Sequence, residues 1–176
     1  TTFAYSNLTL DRNNVADEDT VTVTVDVTNT GSVKGKEIVQ LYVSDLTGAA
    51  RRPLRELKGY EKVSLKPGET KTVSFTLDYR SFAWYHTALH DWYAASGEYE
   101  IQIGASSRDI RLSEIVHLIT KKLLPIQTHL NTTLGELLSD ERTAKYGLKL
   151  KKKMDAFFGG GAESDENSKG AEETTD

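Results

Sequence analysis

Short runs in which apolar and polar residues alternate fill the first two thirds of the chain. The clearest run is residues 21–28, where valine occupies every odd position and a polar residue every even one. A period of two places neighbouring side chains on opposite faces of a strand, so the valines face a core and the polar residues face water. Residues 72–77 and 98–103 show the same alternation. These three runs predict β-strands that are buried on one face.

Shorter apolar runs predict four further strands, and turn-forming sequences separate them from the first three. The four runs are residues 3–10, 37–44, 57–65 and 110–118, and the turn signals are residues 66–69, 96–97 and 105–107. No amphipathic helix of 10–15 residues lies between the runs, which argues against a parallel sheet. The sequence therefore predicts an all-β domain over residues 1–120, a seven-stranded antiparallel sandwich of the immunoglobulin or fibronectin-III-like kind.

The pattern changes beyond residue 120. Thr133-Leu134-Gly135-Glu136 has the spacing of a capping box at a helix start. After it, apolar residues recur at steps of three or four, which predicts a helix with one apolar stripe. The stripe consists of Tyr146, Leu150, Met154 and Phe157. We expect a helical extension over residues 121–158, whose stripe docks on another surface because short isolated helices are marginal in water.

Charge is concentrated in the last residues of the chain. Residues 159–176 begin with three glycines and hold six acids against one lysine, and they are predicted to be a disordered acidic tail. The net charge of the chain is −4 and that of the tail is −5, so the remaining residues sum to +1. We therefore expect neither a nucleic-acid partner nor, without an 18-residue apolar run, a membrane span. The absence of cysteine favours a cytoplasmic location.

Five segments of residues 1–118 resemble, in order, the C-terminal fibronectin type III-like domain of glycoside hydrolase family 3. The segments are Thr2–Leu8 (TFAYSNL), Glu37–Asp45 (EIVQLYVSD), Arg52–Tyr60 (RPLRELKGY), Leu65–Thr70 (LKPGET) and Trp92–Ser107, with its GEY and GASS elements. The resemblance implies a parent enzyme of the β-glucosidase or β-xylosidase type that retains configuration. It also implies that the nucleophile and the acid/base residue lie in a barrel and an α/β domain outside these residues.

His90-Asp91-Trp92 is similar to the Ser-Asp-Trp context in which that family carries its nucleophile. It lies within the segment that matches the fibronectin-like domain, and histidine replaces the serine. We therefore predict no catalytic residue in this chain. No cofactor is expected, and no metal site either, because His86 and His90 lack a clear third ligand.

Aromatic residues concentrate between residues 82 and 93. Trp84, Tyr85 and Trp92 are candidates for contact with a sugar, whose apolar faces stack on aromatic rings, or for packing against the rest of a parent enzyme. Arg51 and Arg52 are candidates for contact with the catalytic domains, since arginine pairs well with carboxylates. The segment matches the family only partially, so both interpretations of the aromatic residues stay open.

Three functions are compatible with these patterns. The first is a non-catalytic accessory domain of a family 3 glycoside hydrolase, with the parent's catalytic domains as its partner and self-association through the helical stripe. The second is a stand-alone carbohydrate-binding sandwich that uses the aromatic loop. The third is a general adhesion module, against which the family motifs argue. Fold alone does not decide among these functions.

Overall fold

The computed structural model describes residues 1–126 and 128–159 of the chain. It divides into two compact units, which separate between Pro125 and Ile126, and each is described by itself. Among the described residues, no helix has the length and apolar character needed to cross a membrane.

The first unit contains ten strands and one short helix. The strands are β1 (Phe3–Leu10), β2 (Asn14–Ala16), β3 (Val21–Asn29), β4 (Gly35–Asp45), β5 (Glu56–Leu65), β6 (Thr70–Leu77), β7 (Trp84–His86), β8 (Asp91–Tyr93), β9 (Gly97–Ser106) and β10 (Asp109–Ile119), and the helix is α1 (Tyr79–Phe82). They form a three-stranded sheet in the order β1-β3-β6, a five-stranded sheet in the order β2-β10-β9-β4-β5 and a two-stranded ribbon of β7 and β8.

The all-β prediction agrees with this unit, and each of the seven predicted runs forms a strand. The predicted number of strands was wrong, because β2, β7 and β8 also form. Each of these has three residues, which is too short to show a period of two. The purely antiparallel pairing was also wrong, since β2 runs parallel to the end of β10. The helix α1 was not predicted, although Asp78 and Ser81 cap it reciprocally.

Both larger sheets contribute to one apolar core. The four valines of β3 are fully buried, and so are Tyr99, Ile101 and Ile103 of β9. The ring of Phe82 meets Tyr99 edge-to-face at 5.3 Å, and the Tyr99 hydroxyl donates to the Ala95 carbonyl at 2.9 Å. Burial raises the pKa of Tyr99. The hydroxyl therefore stays protonated and paired, as a buried polar group requires.

The turn between β5 and β6 is built from the LKPGET segment. Gly68 has φ of +73°, a left-handed conformation that glycine adopts without steric cost. The carboxylate of Glu69 accepts from the backbone N–H of Lys66 at 2.7 Å, which closes the turn. Gly68 N–H donates to the Asn29 carbonyl at 2.9 Å and ties the turn to the end of β3.

The second unit contains α2 (Leu134–Ser139) and α3 (Glu141–Gly159). The predicted capping box is confirmed, with the Thr133 hydroxyl accepting from Glu136 N–H and the Glu136 carboxylate accepting from Thr133 N–H. The two helices approach closely at Gly147, where a Cβ atom would lie 3.0 Å from Leu138. The domain boundaries at residues 120 and 158 stay predictions, and the predicted tail lies outside the described residues except for Gly159.

Candidate functional site

The aromatic residues singled out in the sequence meet in the β7–β8 ribbon. Trp84 pairs with Tyr93 and Tyr85 pairs with Trp92 across the two strands. Because side chains alternate along a strand, each of these cross-strand pairs occupies its own face of the ribbon. The rings meet nearly edge-to-face, at 5.2 Å for Trp84 and Tyr93 and 6.0 Å for Tyr85 and Trp92. The ribbon therefore gathers both tryptophans of the chain into a small aromatic cluster.

Arg52 fastens this cluster to the sandwich. It lies in the connection between β4 and β5, and its side chain is only 7% exposed. Its guanidinium pairs with Asp45, from Nη1 to Oδ2 at 3.2 Å, and with Glu56, from Nη2 to Oε1 at 2.9 Å. The same group donates to the Phe82 carbonyl at 2.5 Å and lies 5.7 Å from the centre of the Trp84 ring. All of these contacts are internal to the domain, which favours a structural role for Arg52.

A second cation, Lys58, also pairs with the carboxylate of Glu56. Burial by itself would raise the pKa of Glu56, but hydrogen bonds from Lys58 and then Arg52 outweigh burial and lower it. The Lys58 ammonium lies 2.8 Å from Oε2. Glu56 is therefore held in its charged form between two cations at the start of β5.

A second arginine covers the other tryptophan. The guanidinium carbon of Arg80, on α1, lies 4.1 Å from the centre of the Trp92 ring. Trp92 also packs against the core. An arginine thus lies against each tryptophan ring, and Tyr85, 51% exposed, is the most open aromatic residue of the cluster. This arrangement leaves the tryptophans less open to a sugar than an exposed platform would be.

Asp91 forms an ion pair with Lys122. The Lys122 ammonium contacts its carboxylate directly and also donates to the Trp92 carbonyl at 2.9 Å. The hydrogen bond from Lys122, followed by one from Trp92 N–H at 2.7 Å, lowers the pKa of Asp91. The same contact with Asp91 raises the pKa of Lys122. The carboxylate therefore joins the ribbon to the segment that follows β10.

Lys122 is a residue of this site that the sequence did not single out. It lies 31 positions from Asp91, beyond the end of β10, among other lysines with no distinguishing pattern. The neighbouring Lys121 N–H donates to the Asp17 carboxylate at 2.8 Å, and Thr120 N–H donates to the Ser96 hydroxyl at 3.0 Å. The segment 120–122 is thus fixed against three parts of the first unit.

Arg51 and the four stripe residues of α3 are the remaining candidate residues. Arg51 is exposed in the connection between β4 and β5. Tyr146, Leu150, Met154 and Phe157 all lie on α3 and all are exposed. Docking through this stripe and contact through Arg51 both stay predictions. Residues 1–126 and 128–159 contain no group of three or more side chains arranged to hold a metal ion.

Comparisons with known proteins agree with this architecture. A family profile described as "Fibronectin type III-like domain" matches residues 37–107. Thermostable β-glucosidase B of Acetivibrio thermocellus is 46% identical over 158 residues, which cover 89% of this chain and 21% of that protein. An exo-α-(1→6)-L-arabinopyranosidase of Bifidobacterium breve is 50% identical over 92 residues, covering 52% of this chain and 12% of that protein.

Solved structures give the same result. The chain superposes on a family 3 β-glucosidase of Bifidobacterium adolescentis with a TM-score of 0.69 and 38% identity, covering 82% of this chain and 21% of that one. A β-D-glucoside glucohydrolase of Trichoderma reesei gives a TM-score of 0.61 and 34% identity, with 68% and 19% covered. The matched part of this chain thus spans between about an eighth and a fifth of the length of these four relatives.

The fold and these comparisons define a fibronectin type III-like β-sandwich of the kind found within glycosidases. More particularly, the chain carries the fibronectin type III-like domain of glycoside hydrolase family 3.

Proposed function

We propose that this chain is a non-catalytic accessory domain of a larger glycoside hydrolase of family 3, in which it braces the catalytic domains. The observation that carries the proposal is the share of the relatives that it spans, 21% in the β-glucosidase of Acetivibrio thermocellus. About four fifths of that protein lie outside the matched segment. The residues that cleave the glycosidic bond would then belong to this larger part.

The chemistry of the described carboxyl groups supports the proposal. Retaining hydrolysis uses two carboxyl groups about 5 Å apart, one of which needs a raised pKa to act as an acid. Each carboxyl in the described residues whose pKa departs clearly from its ordinary value has a lowered one. They are Asp26, Glu56, Glu69, Asp91, Asp109, Glu136 and Asp140. These groups serve as hydrogen-bond acceptors and ion-pair partners, which suits structure rather than proton transfer.

The names of the relatives support a proposal about the substrate class of the whole enzyme. Most of their names are β-glucosidases, and the others include a β-xylosidase of Formosa agariphila and exo-α-(1→6)-L-arabinopyranosidases, which act on an α linkage. Because β-glycosidases predominate among these names, we propose that the parent of this domain removes terminal sugars from β-linked glycosides. Retention of configuration is proposed from the family resemblance alone.

A second candidate function is carbohydrate binding by the ribbon. Tyr85 is half-exposed beside Trp92, and such a pair offers an apolar surface to a sugar ring. The arginines that lie against Trp84 and Trp92 weaken this candidate, because they occupy ring surface that a sugar would need.

One experiment with two assays separates the two functions. The 176-residue chain is incubated with aryl β-glucosides and, in parallel, run through gels that contain a soluble β-glucan. We expect no turnover above a buffer blank and no retardation in the gel. Turnover would overturn the non-catalytic role, and retardation that is lost in Tyr85→Ala would favour the binding module.

A further inference from the structure

The five-stranded sheet has an outer face, directed away from the core. Strand register places Tyr42 of β4 opposite Gln102 of β9 and opposite Leu57 of β5. Gln40, two positions earlier on β4, lies opposite Tyr60. Tyr42 is only 6% exposed even though it lies on this outer face. Neighbouring side chains thus cover the part of this face around Tyr42.

A bulge in β5 collects apolar side chains on this face. Leu57 pairs with Tyr42 and Gly59 with Leu41, so Lys58 is the extra residue. Leu57 and Tyr60, three positions apart, therefore point to the same side. They are 51% and 70% exposed. Ile38, 42% exposed, lies on the same face of β4 opposite Lys62, and Leu54, 77% exposed, has its carbonyl bonded to Ser44 of β4. We call these four residues, Ile38, Leu54, Leu57 and Tyr60, the outer-face patch.

Hydrogen bonds hold the connection before β5 against the sheet. The Ser44 hydroxyl donates to the Leu54 carbonyl at 2.6 Å. The Arg55 guanidinium donates to the Ser107 carbonyl, in the turn between β9 and β10, at 2.9 Å. Leu54 is nevertheless 77% exposed. The backbone of Leu54 is thus fixed by its neighbours while its side chain stays uncovered. Such pre-organisation lowers the entropic cost of docking.

Charged residues border the patch, with lysines at its Ile38 end and Glu100, which lies opposite Ser44 on the same face, at its Leu54 end. Lys62 lies opposite Ile38, and Lys36 lies opposite Ser64, on the same face of the sheet. Among the described residues, neither lysine takes part in an ion pair. A shallow hollow of about 410 Å³ adjoins Lys36 and is lined also by Lys34, Gly35 and Ser64. The surface that fits this face is therefore apolar at its centre and carries carboxylates where its rim meets Lys36 and Lys62.

From these observations we infer that the outer-face patch is the surface through which the domain packs on the catalytic part of its own longer chain, against an apolar area bordered by Asp or Glu. This inference rests on the proposed function. Contiguous exposed apolar surface is typical of interaction sites rather than of free monomer surface. A partner on the same chain is present at high effective concentration, so a patch of four apolar side chains suffices to hold it.

The test uses a chimera of the Acetivibrio thermocellus β-glucosidase in which this chain replaces the aligned segment. Leu57→Ser and Tyr60→Ser are made in the chimera and in the 176-residue chain. Ile119→Ser is the matched control, because Ile119 is 60% exposed at the end of β10, separated from β5 by β9 and β4. The half-life of chimera activity at elevated temperature is compared with the urea midpoint of the isolated chain.

We expect each patch variant to shorten the half-life of the chimera about tenfold relative to Ile119→Ser, a change of the size that one lost apolar contact produces. The isolated variants should keep the urea midpoint of the unchanged chain. Equal half-lives for patch and control variants would overturn the inference and leave the proposed function untouched. Destabilised isolated variants would assign the patch to contacts within this chain and would also overturn it.

Two other outcomes concern different partners. A dimer of the isolated chain that dissociates in Tyr60→Ser would assign the patch to a second copy, against the inference. An unmodified chimera that fails to fold would contradict the proposed function together with the docking surface, because this chain would then not serve as the accessory domain of such an enzyme.

Discussion

Arg52 combines charge, hydrogen bonding and ring contact in one nearly buried side chain. It joins three parts of the chain: the end of β4 through Asp45, the start of β5 through Glu56 and the segment after α1 through the Phe82 carbonyl. A planar guanidinium can serve several acceptors at once, which a lysine ammonium cannot do with the same geometry. Arg52 thus holds the connection between β4 and β5 against the start of the aromatic ribbon.

Replacing Arg52 with methionine should lower the free energy of unfolding by about 3–5 kcal/mol, because it leaves Asp45 nearly buried without its cation. Urea unfolding followed by circular dichroism measures the change. Arg51→Met is the matched control, since Arg51 is exposed, and should change stability by less than about 0.5 kcal/mol. Equal effects of the two substitutions would mean that the ion pairs of Arg52 do not stabilise the domain.

The two adjacent arginines show how far the sequence predicts the role of a single residue. A pattern of Arg51-Arg52-Pro53 predicts a cationic connection but does not tell which arginine points inward. The answer depends on Asp45 and on a carbonyl of Phe82, 30 residues away. Such long-range partners leave no local periodicity, whereas the Thr133–Glu136 capping box involves neighbours and was predicted correctly.

An ion pair holds the ribbon in addition to the contacts of Arg52. Asp91 and Lys122 connect β8 to the segment after β10. The pKa of Asp91 is lowered, so its contribution is complete above the ordinary value of 3.8 and is lost as the pH falls through the lowered value. The pKa of Lys122 is raised, so its contribution is complete below 10.5 and is lost as the pH rises through the raised value.

Tryptophan fluorescence should follow this pH dependence, because both tryptophans of the chain lie in the ribbon. We expect a constant emission maximum between the two limits and a red shift in acid, below pH 3.8, as the ribbon loosens. Lys122→Met should produce the shifted emission already at neutral pH. Asp109→Asn is the control, since its pair with Arg111 lies at the turn between β9 and β10. An unshifted Lys122→Met spectrum would contradict this role of the pair.

The length of each strand determined whether the sequence could predict it. Strands of eight or more residues, such as β3 and β6, show their period and were located closely. The three-residue strands β2, β7 and β8 form because a long partner strand or a turn holds them. Their existence follows from tertiary contacts, which the sequence does not display. The aromatic cluster was recognised by composition and Arg52 was singled out, but neither the contact of Arg52 with Trp84 nor that of Arg80 with Trp92 was predicted.

At the scale of the whole molecule, the helical unit carries apolar surface of its own. Tyr146, Leu150 and Met154 recur at every fourth position of α3, and each is exposed. We propose, as the sequence predicted, that this stripe docks on a partner or on a second copy. Lysines border the stripe, so α3 is an amphipathic helix rather than a uniformly apolar one.

Self-association of the chain should therefore depend on the stripe. Leu150→Ser combined with Met154→Ser should shift a concentration-dependent equilibrium toward the monomer in sedimentation velocity, because both substitutions remove apolar area from the interface. Leu148→Ser, at an exposed position of α3 off the stripe, controls for the lower helix propensity of serine. A monomer at all concentrations before substitution would contradict self-association.

The parallel pairing of β2 with the end of β10 joins residues 14–16 to residues 117–119. β10 also lies between β2 and β9, so the five-stranded sheet has a gap until the last strand has been synthesised. Until then the valine face of β3 has no complete opposite layer. During translation the nascent domain would thus expose aggregation-prone surface over most of its length, and its folding would wait for its final strand. Slow codons or chaperone binding sites would have most effect just after the segment that encodes β10.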